Sequence, residues 1–396
     1  MRILMISDTY FPRISGVASS IRSFREGLAR LGHDVDLLIP AYGVSTSEGL
    51  GVFQAPAMRI PFYPEERLMT PLGALRIARY LASRPHDVIH IETPFMAQFW
   101  GRQLARKWQV PAILSYHTHF EAYVGHYYPW IPKAAGHHMI RAIARRQCDA
   151  VDTVIVPSVA MAEVVAGYGV GTRIQVIPTG IECPPSPKGC GAAFRAYHGI
   201  APKRPLLLYA GRLAPEKNLP FLLEVARRLR LALPDVLLLF AGDGPARPSL
   251  EAQTRNLGLT DHVRFLGYLD RDHALQDAYQ AADLFVFCSQ TETQGMVLLE
   301  ALAARLPIVA IPALGVADLL AFHKGSRGST ADPDTFSAEC LIILRDPELR
   351  ARLASEAGHL AARFSRDAMS QRLAKVYETL INEAQIVHCR IQERRG

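Results

Sequence analysis

The sequence lacks the features that mark several protein classes. No stretch approaches the roughly 18 consecutive apolar residues of a membrane span, and the apolar run after Met1 is too short for a signal peptide. No C-x-x-C pair occurs, and a chain of 396 residues does not depend on disulfides for its stability. We therefore expect a cytoplasmic protein whose cysteines are free thiols: Cys148, Cys183, Cys190, Cys288, Cys340 and Cys389.

A nucleic-acid recognition module is also absent. The formal net charge is +7, but lysine and arginine are spread over the whole chain without a cluster of basic and aromatic residues. An anionic substrate or an anionic membrane surface explains the positive balance equally well. Hydrophobic residues at 49% and charged residues at 20% are typical of a globular protein, here long enough for two or three domains. We expect no nucleic-acid partner.

The first loop lacks a dinucleotide-binding fingerprint. Residues 2–7 and 35–39 are apolar, and residues 17–31 between them have helical periodicity, which predicts a β-α-β unit. The connecting loop, DTYFPRISGV, carries only Gly16 before the helix. Because the G-x-G-x-x-G motif is missing, the loop does not favour binding of a nicotinamide or flavin cofactor.

Two series of strand and helix patterns follow each other along the chain. Strand-like runs in the first series are residues 88–91, 112–116, 153–156 and 174–177, and in the second 206–209, 236–240, 263–266, 284–287 and 308–311. We predict an α/β protein with two doubly wound, Rossmann-like domains that face a cleft, where open α/β sheets bind ligands. The predicted bounds are 1–180 and 205–365, with a Pro- and Gly-rich linker at 181–204 and a C-terminal helix at 366–396.

The most informative stretch is SQTETQGMVLLEALAA, residues 289–304. From Met296 onward every residue except Glu300 is apolar, so this carboxylate lies on an otherwise buried helix and needs a partner. Glu292 precedes it by eight residues, in a polar loop that ends at Gly295, where the first helical N–H groups are able to bind an anion. Because carboxylates accept hydrogen bonds and sugar hydroxyls donate them, this arrangement favours a nucleotide sugar. The alternative is a buried helix with a salt-bridged glutamate.

Two cations follow the first strand of the second series. Arg212 and Lys217 lie in the loop GRLAPEKN, where they are able to neutralise the charge that develops on a diphosphate leaving group. Such cations make a metal ion unnecessary, and the alternative is a solvated surface pair. Two D-x-D pairs near helix starts are interpreted as caps and solvated charges, at Asp270 with Asp272 and at Asp332 with Asp334.

These motifs resemble those of retaining GT-B glycosyltransferases of group 1. The E-x7-E pattern of Glu292 and Glu300, GRLAPEKN and GDGP occur in the order and spacing of that family, over nearly the whole chain. The resemblance implies a nucleotide diphosphate sugar as donor and no cofactor. It places Arg212 and Lys217 on the donor phosphates, Glu292 on sugar hydroxyls and Glu300 on the ribose. Backbone near the donor is implied at Gly16, Gly267, Gly295, Met296 and Val297.

The acceptor side of the site is expected in the first half of the chain. His117 follows the strand AILSYH, and the resemblance places it beside the transferred sugar as a catalytic residue. The Y-H-T-x-x-E-x-Y pattern around it is similar to that of the family's lipid-modifying branch. The residues that we expect near the acceptor are Asp8, Glu92, His119, Glu121 and Tyr123. Except for His117, the alternative for the loop residues of this pattern is a partly buried cover of the sheet.

A basic stripe bears on the nature of the acceptor. Cations recur every four residues after an aromatic run, at Lys133, His137, Arg141 and Arg145 after Tyr127, Tyr128 and Trp130. This pattern is typical of a helix on a membrane surface and also of a solvated charged face. Both interpretations stay open at the level of sequence.

The sequence thus predicts a retaining, metal-independent glycosyltransferase that moves a hexose, expected to be glucose from UDP-glucose, to a hydroxyl acceptor. The first half most resembles diacylglycerol glucosyltransferases, so the expected acceptor is a membrane lipid and the expected location the cytoplasm or the inner face of its membrane. One alternative is transfer to a cell-envelope or soluble saccharide. Another is a nucleotide-sugar 2-epimerase, which has a similar two-domain fold.

Overall fold

The computed structural model describes residues 1–13, 15–43, 51–60, 63–70, 81, 84–121, 133–184 and 189–393. Its contacts divide the chain into two units. The first consists of Met1–Gly180 and Arg366–Gly396, and the second of Ile181–Ser365. Each unit is an α/β fold with its own sheet and core.

The first unit is built on a seven-stranded parallel sheet with the order β3-β2-β1-β6-β7-β8-β9. The central strands are runs of buried apolar residues because helices cover both faces of the sheet. A separate antiparallel pair is formed by β4 and β5. The strands are β1 (Arg2–Ile6), β2 (Asp34–Pro40), β3 (Val52–Ala55), β4 (Ala57–Ile60), β5 (Tyr63–Met69), β6 (Val88–Ile91), β7 (Ala112–Ser115), β8 (Thr153–Val156) and β9 (Ile174–Val176).

The C-terminal helix, Arg366–Glu393, packs against the first helix of the same unit. A Cβ atom on Gly27 would lie 2.0 Å from Oγ of Ser370, so the two helices approach as closely as only glycine allows. The core of this contact contains Phe24, Leu373 and Tyr377. The helices of the unit are α1 (Gly16–Arg30), α2 (Met96–Trp108), α3 (Lys133–Cys148), α4 (Val159–Gly167) and the C-terminal helix.

The second unit contains a six-stranded parallel sheet with the order β12-β11-β10-β13-β14-β15. Its strands are β10 (Leu206–Ala210), β11 (Leu237–Ala241), β12 (Val263–Gly267), β13 (Leu284–Phe287), β14 (Ile308–Ala310) and β15 (Ser326–Gly328). The helices are α5 (Gly191–Tyr197), α6 (Pro220–Ala232), α7 (Arg247–Asn256), α8 (Ala274–Ala281), α9 (Met296–Ala303), α10 (Gly315–Leu320), α11 (Pro333–Arg345) and α12 (Pro347–Ala362). A short 3₁₀ turn, Pro215–Lys217, follows β10.

The segment predicted as a linker is partly a packed element of the second unit. It contains α5, whose Phe194 is buried, and Arg195 forms an ion pair with Asp283 at 3.0 Å. A Cβ atom on Gly189 or Gly191 would lie 2.7 or 2.2 Å from the backbone of α8. The glycines that suggested a linker therefore permit close packing instead.

Within the described residues, every helix is either too short or too polar to span a lipid bilayer.

Candidate active site

The loop that follows β10 lies directly against the loop that follows β11. The N–H of Leu213 donates to the carbonyl oxygen of Asp243 at 2.9 Å. A Cβ atom on Gly242 would lie 1.9 Å from the oxygen of Gly211, and one on Gly244 would lie 2.4 Å from that of Leu213. The glycines of GDGP are therefore required for the contact that holds the GRLAPEKN loop.

Two buried side chains fix the backbone of the predicted phosphate-binding cations. The hydroxyl of Tyr209 donates to the carbonyl oxygen of Arg212 at 3.3 Å. The thiol of Cys288 donates to the carbonyl oxygens of Lys217 and Asn218 at 3.2 and 3.3 Å. Burial raises the pKa of Cys288, so it stays a neutral donor. Sequence patterns did not identify this role of Tyr209 and Cys288.

The structure brings Lys217 and Glu292 together. Nζ of Lys217 lies 2.5 Å from Oε1 of Glu292, and the two side chains are 14% and 22% exposed. Arg212 is exposed and forms no ion pair with any described residue. The loops after β10 and β13 thus place a paired cation, a carboxylate and an exposed guanidinium at one end of the sheet.

Helix α9 begins beside this pair. Gly295 precedes it with φ of 78°, and no side chain caps the first turn. The first N–H groups, at Met296 and Val297, therefore carry the positive end of the helix dipole without a capping oxygen. The N–H of Gly315 donates to the carbonyl oxygen of Glu292 at 3.1 Å and ties the preceding loop to α10.

Glu300 has partners that the sequence did not reveal. Its Oε1 pairs with Arg271, and its Oε2 accepts a hydrogen bond from the hydroxyl of Tyr279 at 3.2 Å. Glu300 is therefore salt-bridged, as the alternative interpretation of the sequence expected. A carboxylate accepts several hydrogen bonds, so this pairing is compatible with a ribose diol as a further donor. Gly267, predicted near the donor, ends β12, and its carbonyl accepts from the N–H of Gly242 at 2.7 Å.

In the first unit, Glu92 and His117 form a hydrogen-bonded pair. Glu92 is 1% exposed, and its Oε2 lies 2.8 Å from Nε2 of His117. Burial alone would raise the pKa of Glu92, but the charge of His90 and hydrogen bonds from His117 and Ser115 outweigh burial and lower it. The carboxylate is therefore ionised and orients the imidazole ring of His117.

A second histidine connects this pair to the C-terminal helix. Nδ1 of His90 lies 2.6 Å from the hydroxyl of Tyr377 and 3.5 Å from Oε1 of Glu92. Its Nε2 lies 2.8 Å from Oγ of Ser115. His90 is completely buried, which lowers its pKa. Neither His90 nor Tyr377 was predicted, because a lone histidine in the buried run VIHI gives no signal of its partners.

Asp8 serves as a capping residue for α2. It accepts hydrogen bonds from Oγ1 of Thr93 at 2.7 Å and from the N–H of Ala97 at 3.0 Å. Burial raises its pKa to about 6 despite these bonds. The structure thus gives Asp8 a local bonding role, and its predicted contact with an acceptor stays a prediction.

The remaining predicted acceptor residues are Glu121, His119 and Tyr123. Glu121 accepts from Nη2 of Arg141 at 2.7 Å and lies 3.1 Å from Nδ1 of His137. Burial alone would raise the pKa of Glu121, but the hydrogen bond and charge of Arg141 outweigh burial and lower it. His119 is half-buried, and burial lowers its pKa. Tyr123 lies outside the described residues.

Gly16 was predicted to bring its backbone close to the donor, and this stays a prediction. It is the first residue of α1, and a Cβ atom there would meet nothing within 4 Å. The preceding residue, Ser15, caps the helix by accepting from the N–H of Ala18 at 3.1 Å. Only a ligand would therefore require a glycine at Gly16.

The D-x-D pairs act at helix ends, as expected for caps. Asp270 accepts from the N–H of His273 at 2.9 Å, and Asp332 accepts from that of Thr335 at 2.8 Å. Asp334 pairs with Arg228 on α6. Among the described residues, no group of three or more metal-ligating side chains converges.

Comparison with known proteins gives a consistent family. The model described as "Glycosyl transferases group 1" matches residues 192–359, and the model "Glycosyltransferase Family 4" matches residues 14–183. An alpha-monoglucosyldiacylglycerol synthase of Streptococcus pneumoniae is 33% identical over 320 residues, which are 78% of this chain and 71% of that protein. The chain belongs to the glycosyltransferases. It is therefore an enzyme, as predicted.

Longer and structural matches agree with this family. An alpha-monoglucosyldiacylglycerol synthase of Acholeplasma laidlawii is 27% identical over 97% of this glycosyltransferase and 98% of its own length. The sucrose-phosphate synthase structure from Thermosynechococcus elongatus matches with a TM-score of 0.79 at 20% identity, over 96% and 99% of the two chains. The structure of HepE of Anabaena in complex with UDP matches with a TM-score of 0.74 at 19% identity, over 96% of this chain and 100% of HepE. The predicted GT-B fold class is confirmed.

Proposed function

We propose that this glycosyltransferase moves glucose from UDP-glucose to a membrane lipid such as diacylglycerol, with retention of the anomeric configuration and without a metal ion. The observation that carries the donor side is the contact of Lys217 with Glu292 beside the uncapped start of α9. Exposed Arg212 lies in the same loop as Lys217.

The donor diphosphate binds at this end of the second unit. Its charge grows as the bond to the sugar breaks, and Arg212, Lys217 and the dipole of α9 stabilise that charge. These groups supply the electrostatic role that a divalent cation has in other transferases. Glu300 accepts from the ribose diol while it keeps its contacts with Arg271 and Tyr279.

Glu292 orients the sugar and does not attack it. Its ion pair with Lys217 stabilises the carboxylate, which lowers its nucleophilicity and favours a role as hydrogen-bond acceptor for sugar hydroxyls. By resemblance to retaining GT-B enzymes, a leaving diphosphate oxygen takes the acceptor proton on the face where the old bond breaks. The new bond then forms on that same face.

His117 acts next to the transferred sugar. Ionised Glu92 fixes its ring, so the imidazole hydrogen-bonds a sugar hydroxyl in a single orientation. Asp8, His119 and Tyr123 remain proposed acceptor contacts. Glu121 has a supporting role, since it already binds Arg141 and His137.

The lipid acceptor is supported by the relatives' names and by one surface. Helix α3 exposes Met139 and Ile143, at 50% and 49%, beside exposed Arg146. Exposed apolar side chains among cations favour peripheral binding to an anionic membrane, here the inner face of the cytoplasmic membrane. The predicted stripe is partly neutralised, because Glu121 pairs with His137 and Arg141, and Asp149 with Arg145. The Lys133 side chain and the aromatic run lie outside the described residues.

The test is release of UDP from UDP-glucose in EDTA, with and without vesicles that contain diacylglycerol. We expect UDP and a glucosylated lipid only when both substrates are present. Release that needs an added divalent cation would contradict metal independence. Activity with a saccharide in place of the lipid would support the alternative acceptor, and conversion of UDP-GlcNAc without any acceptor would support a 2-epimerase.

A further inference from the structure

The first unit carries a groove of about 1040 Å³ between α2 and α3. Its cationic lining comes from six side chains, Arg102, Arg106, His138, Arg141, Arg145 and Arg146. Two carboxylates, Asp149 and Asp152, also line it. Five guanidinium groups around one concave surface exceed what these carboxylates are able to neutralise.

The groove lies at the opposite end of the strands from Glu92 and His117. Ala112 is the first residue of β7, and Asp152 immediately precedes β8, so both mark the amino ends of the strands. Glu92 and His117 instead follow the carboxyl ends of β6 and β7. A ligand in the groove would therefore occupy a site distinct from the one that holds the transferred sugar.

The acidic residues of the groove already have partners. Asp152 accepts from the N–H of Ala112 at 2.8 Å. Asp149 lies 3.5 Å from Nε of Arg145 and accepts from the N–H of Gly171 at 2.8 Å. Both carboxylates therefore stabilise the local backbone, and one of them neutralises a single arginine of the groove.

Arg141 pairs with Glu121 at 2.7 Å, but three other arginines of the groove have no such partner. Across the described ranges, Arg102, Arg106 and Arg146 have no carboxylate within ion-pair distance. The Nε atom of Arg102 is buried and has no hydrogen-bond acceptor there. Burial and the charges of Arg106 and Arg146 lower the pKa of Arg102. A buried donor and mutual repulsion are both relieved by an anion.

We propose that this groove binds a ligand that carries phosphate groups, at a second site outside the transfer centre. The planar fork of arginine matches pairs of phosphate oxygens, and several converging arginines favour a ligand with more than one negative charge. A phospholipid headgroup and a soluble phosphate ester share this chemistry. The inference does not depend on the proposed transfer reaction, because it concerns binding alone.

The test compares the double variant Arg102→Gln/Arg106→Gln with the control Lys107→Gln. Lys107 is the neighbour of Arg106 on α2 and does not line the groove. The probes are inorganic pyrophosphate, followed by calorimetry, and vesicles of phosphatidylcholine with or without phosphatidylglycerol, followed by sedimentation. All chains also carry Lys217→Ala, so that pyrophosphate binding at the proposed donor site is suppressed.

We expect the double variant to bind the probes at least about tenfold more weakly than the parent, because each arginine contributes favourably to binding of phosphate oxygens. The Lys107→Gln control should stay within about twofold, since an exposed charge outside the groove is screened by salt. The melting temperature of the double variant should not fall below that of the parent, because removal of like charges relieves repulsion.

Loss of binding to both probes would support a site for soluble phosphate groups. Loss confined to vesicles with phosphatidylglycerol would support a lipid headgroup as the occupant. The proposal is overturned if the parent binds neither probe, or if Lys107→Gln weakens binding as much as the double variant does.

Discussion

The two units hold their carboxylates in different ways. In the first unit, Glu92 is almost completely buried and faces His90 and His117. In the second, Glu292 and Glu300 are 22% and 14% exposed and face Lys217 and Arg271. Histidine gains or loses its charge near neutral pH, whereas lysine and arginine do not. The first unit therefore holds its carboxylate with titratable partners, whereas the second uses partners of permanent charge.

The largest expected effect tests the fixed charge. Lys217→Ala should lower kcat by about 100-fold or more, because stabilisation of the leaving group of about 3 kcal/mol is lost. The matched control is Lys203→Ala, an exposed lysine just before β10, and it should keep normal turnover. Initial rates of UDP release at saturating donor give the comparison. Near-normal turnover of Lys217→Ala would remove this residue from the site.

The titratable character of the first unit is tested by Asp8→Asn. The pKa of Asp8 in the folded protein is about 6, above the ordinary value of 3.8, so the folded state holds a proton that the unfolded chain has released. Protonated Asp8 therefore stabilises the folded state. This contribution to the free energy of unfolding is complete below about pH 4 and is lost as pH rises through about 6, with a magnitude on the order of 3 kcal/mol.

Urea denaturation of the parent and of Asp8→Asn across this pH range measures the effect. The variant should show a flatter dependence of the free energy of unfolding on pH, because its amide does not titrate. Parallel curves for both proteins would show that Asp8 titrates normally.

A smaller effect is expected for Glu300→Gln. The amide loses its charge pairing with Arg271, so donor binding should weaken by about tenfold, in line with 1 to 3 kcal/mol for a lost charged partner. The turnover of bound donor, measured as kcat, should change less than its binding. Steady-state kinetics separate KM from kcat. A drop in kcat at unchanged KM would mean that the roles assigned to Glu292 and Glu300 are exchanged.

The smallest effect concerns the link between His90 and the C-terminal helix. Tyr377→Phe removes the hydroxyl that lies 2.6 Å from Nδ1 of His90 and should destabilise the first unit by about 1 kcal/mol. Because His90 also faces Glu92, the pH profile of kcat/KM should shift as well. Tyr197→Phe is the control, since Tyr197 is 86% exposed. A loss of stability with an unchanged pH profile would limit Tyr377 to packing.

The predictable part of the fold consists of its buried strands. Strands β1, β2 and β6 to β14 lie within about two residues of their predicted bounds, mostly because parallel strands covered on both faces are apolar runs. Strands β3, β4, β5 and β15 were missed. They are short or polar and lie at sheet edges or in a separate pair, so no apolar run marks them.

The pairing of site residues was much less predictable. That Glu300 needs a partner followed from its position on an apolar helix, but Arg271 lies 29 residues away and no periodicity connects the two. The bond between His90 and Tyr377 spans 287 residues. Glycines were also ambiguous, since Gly189 and Gly191 suggested a linker but permit packing against α8.

The alternation of strands and helices, the charged residues at strand ends and the motifs that indicate the reaction class could all be read from the sequence. These are local properties that depend on the spacing of apolar and polar residues along a few turns or strands. The tertiary structure determined which charges meet, as for Lys217 with Glu292 and Glu92 with His117. It also decided which charges stay uncompensated, as in the arginine groove, because contacts between distant segments depend on how helices pack on a sheet.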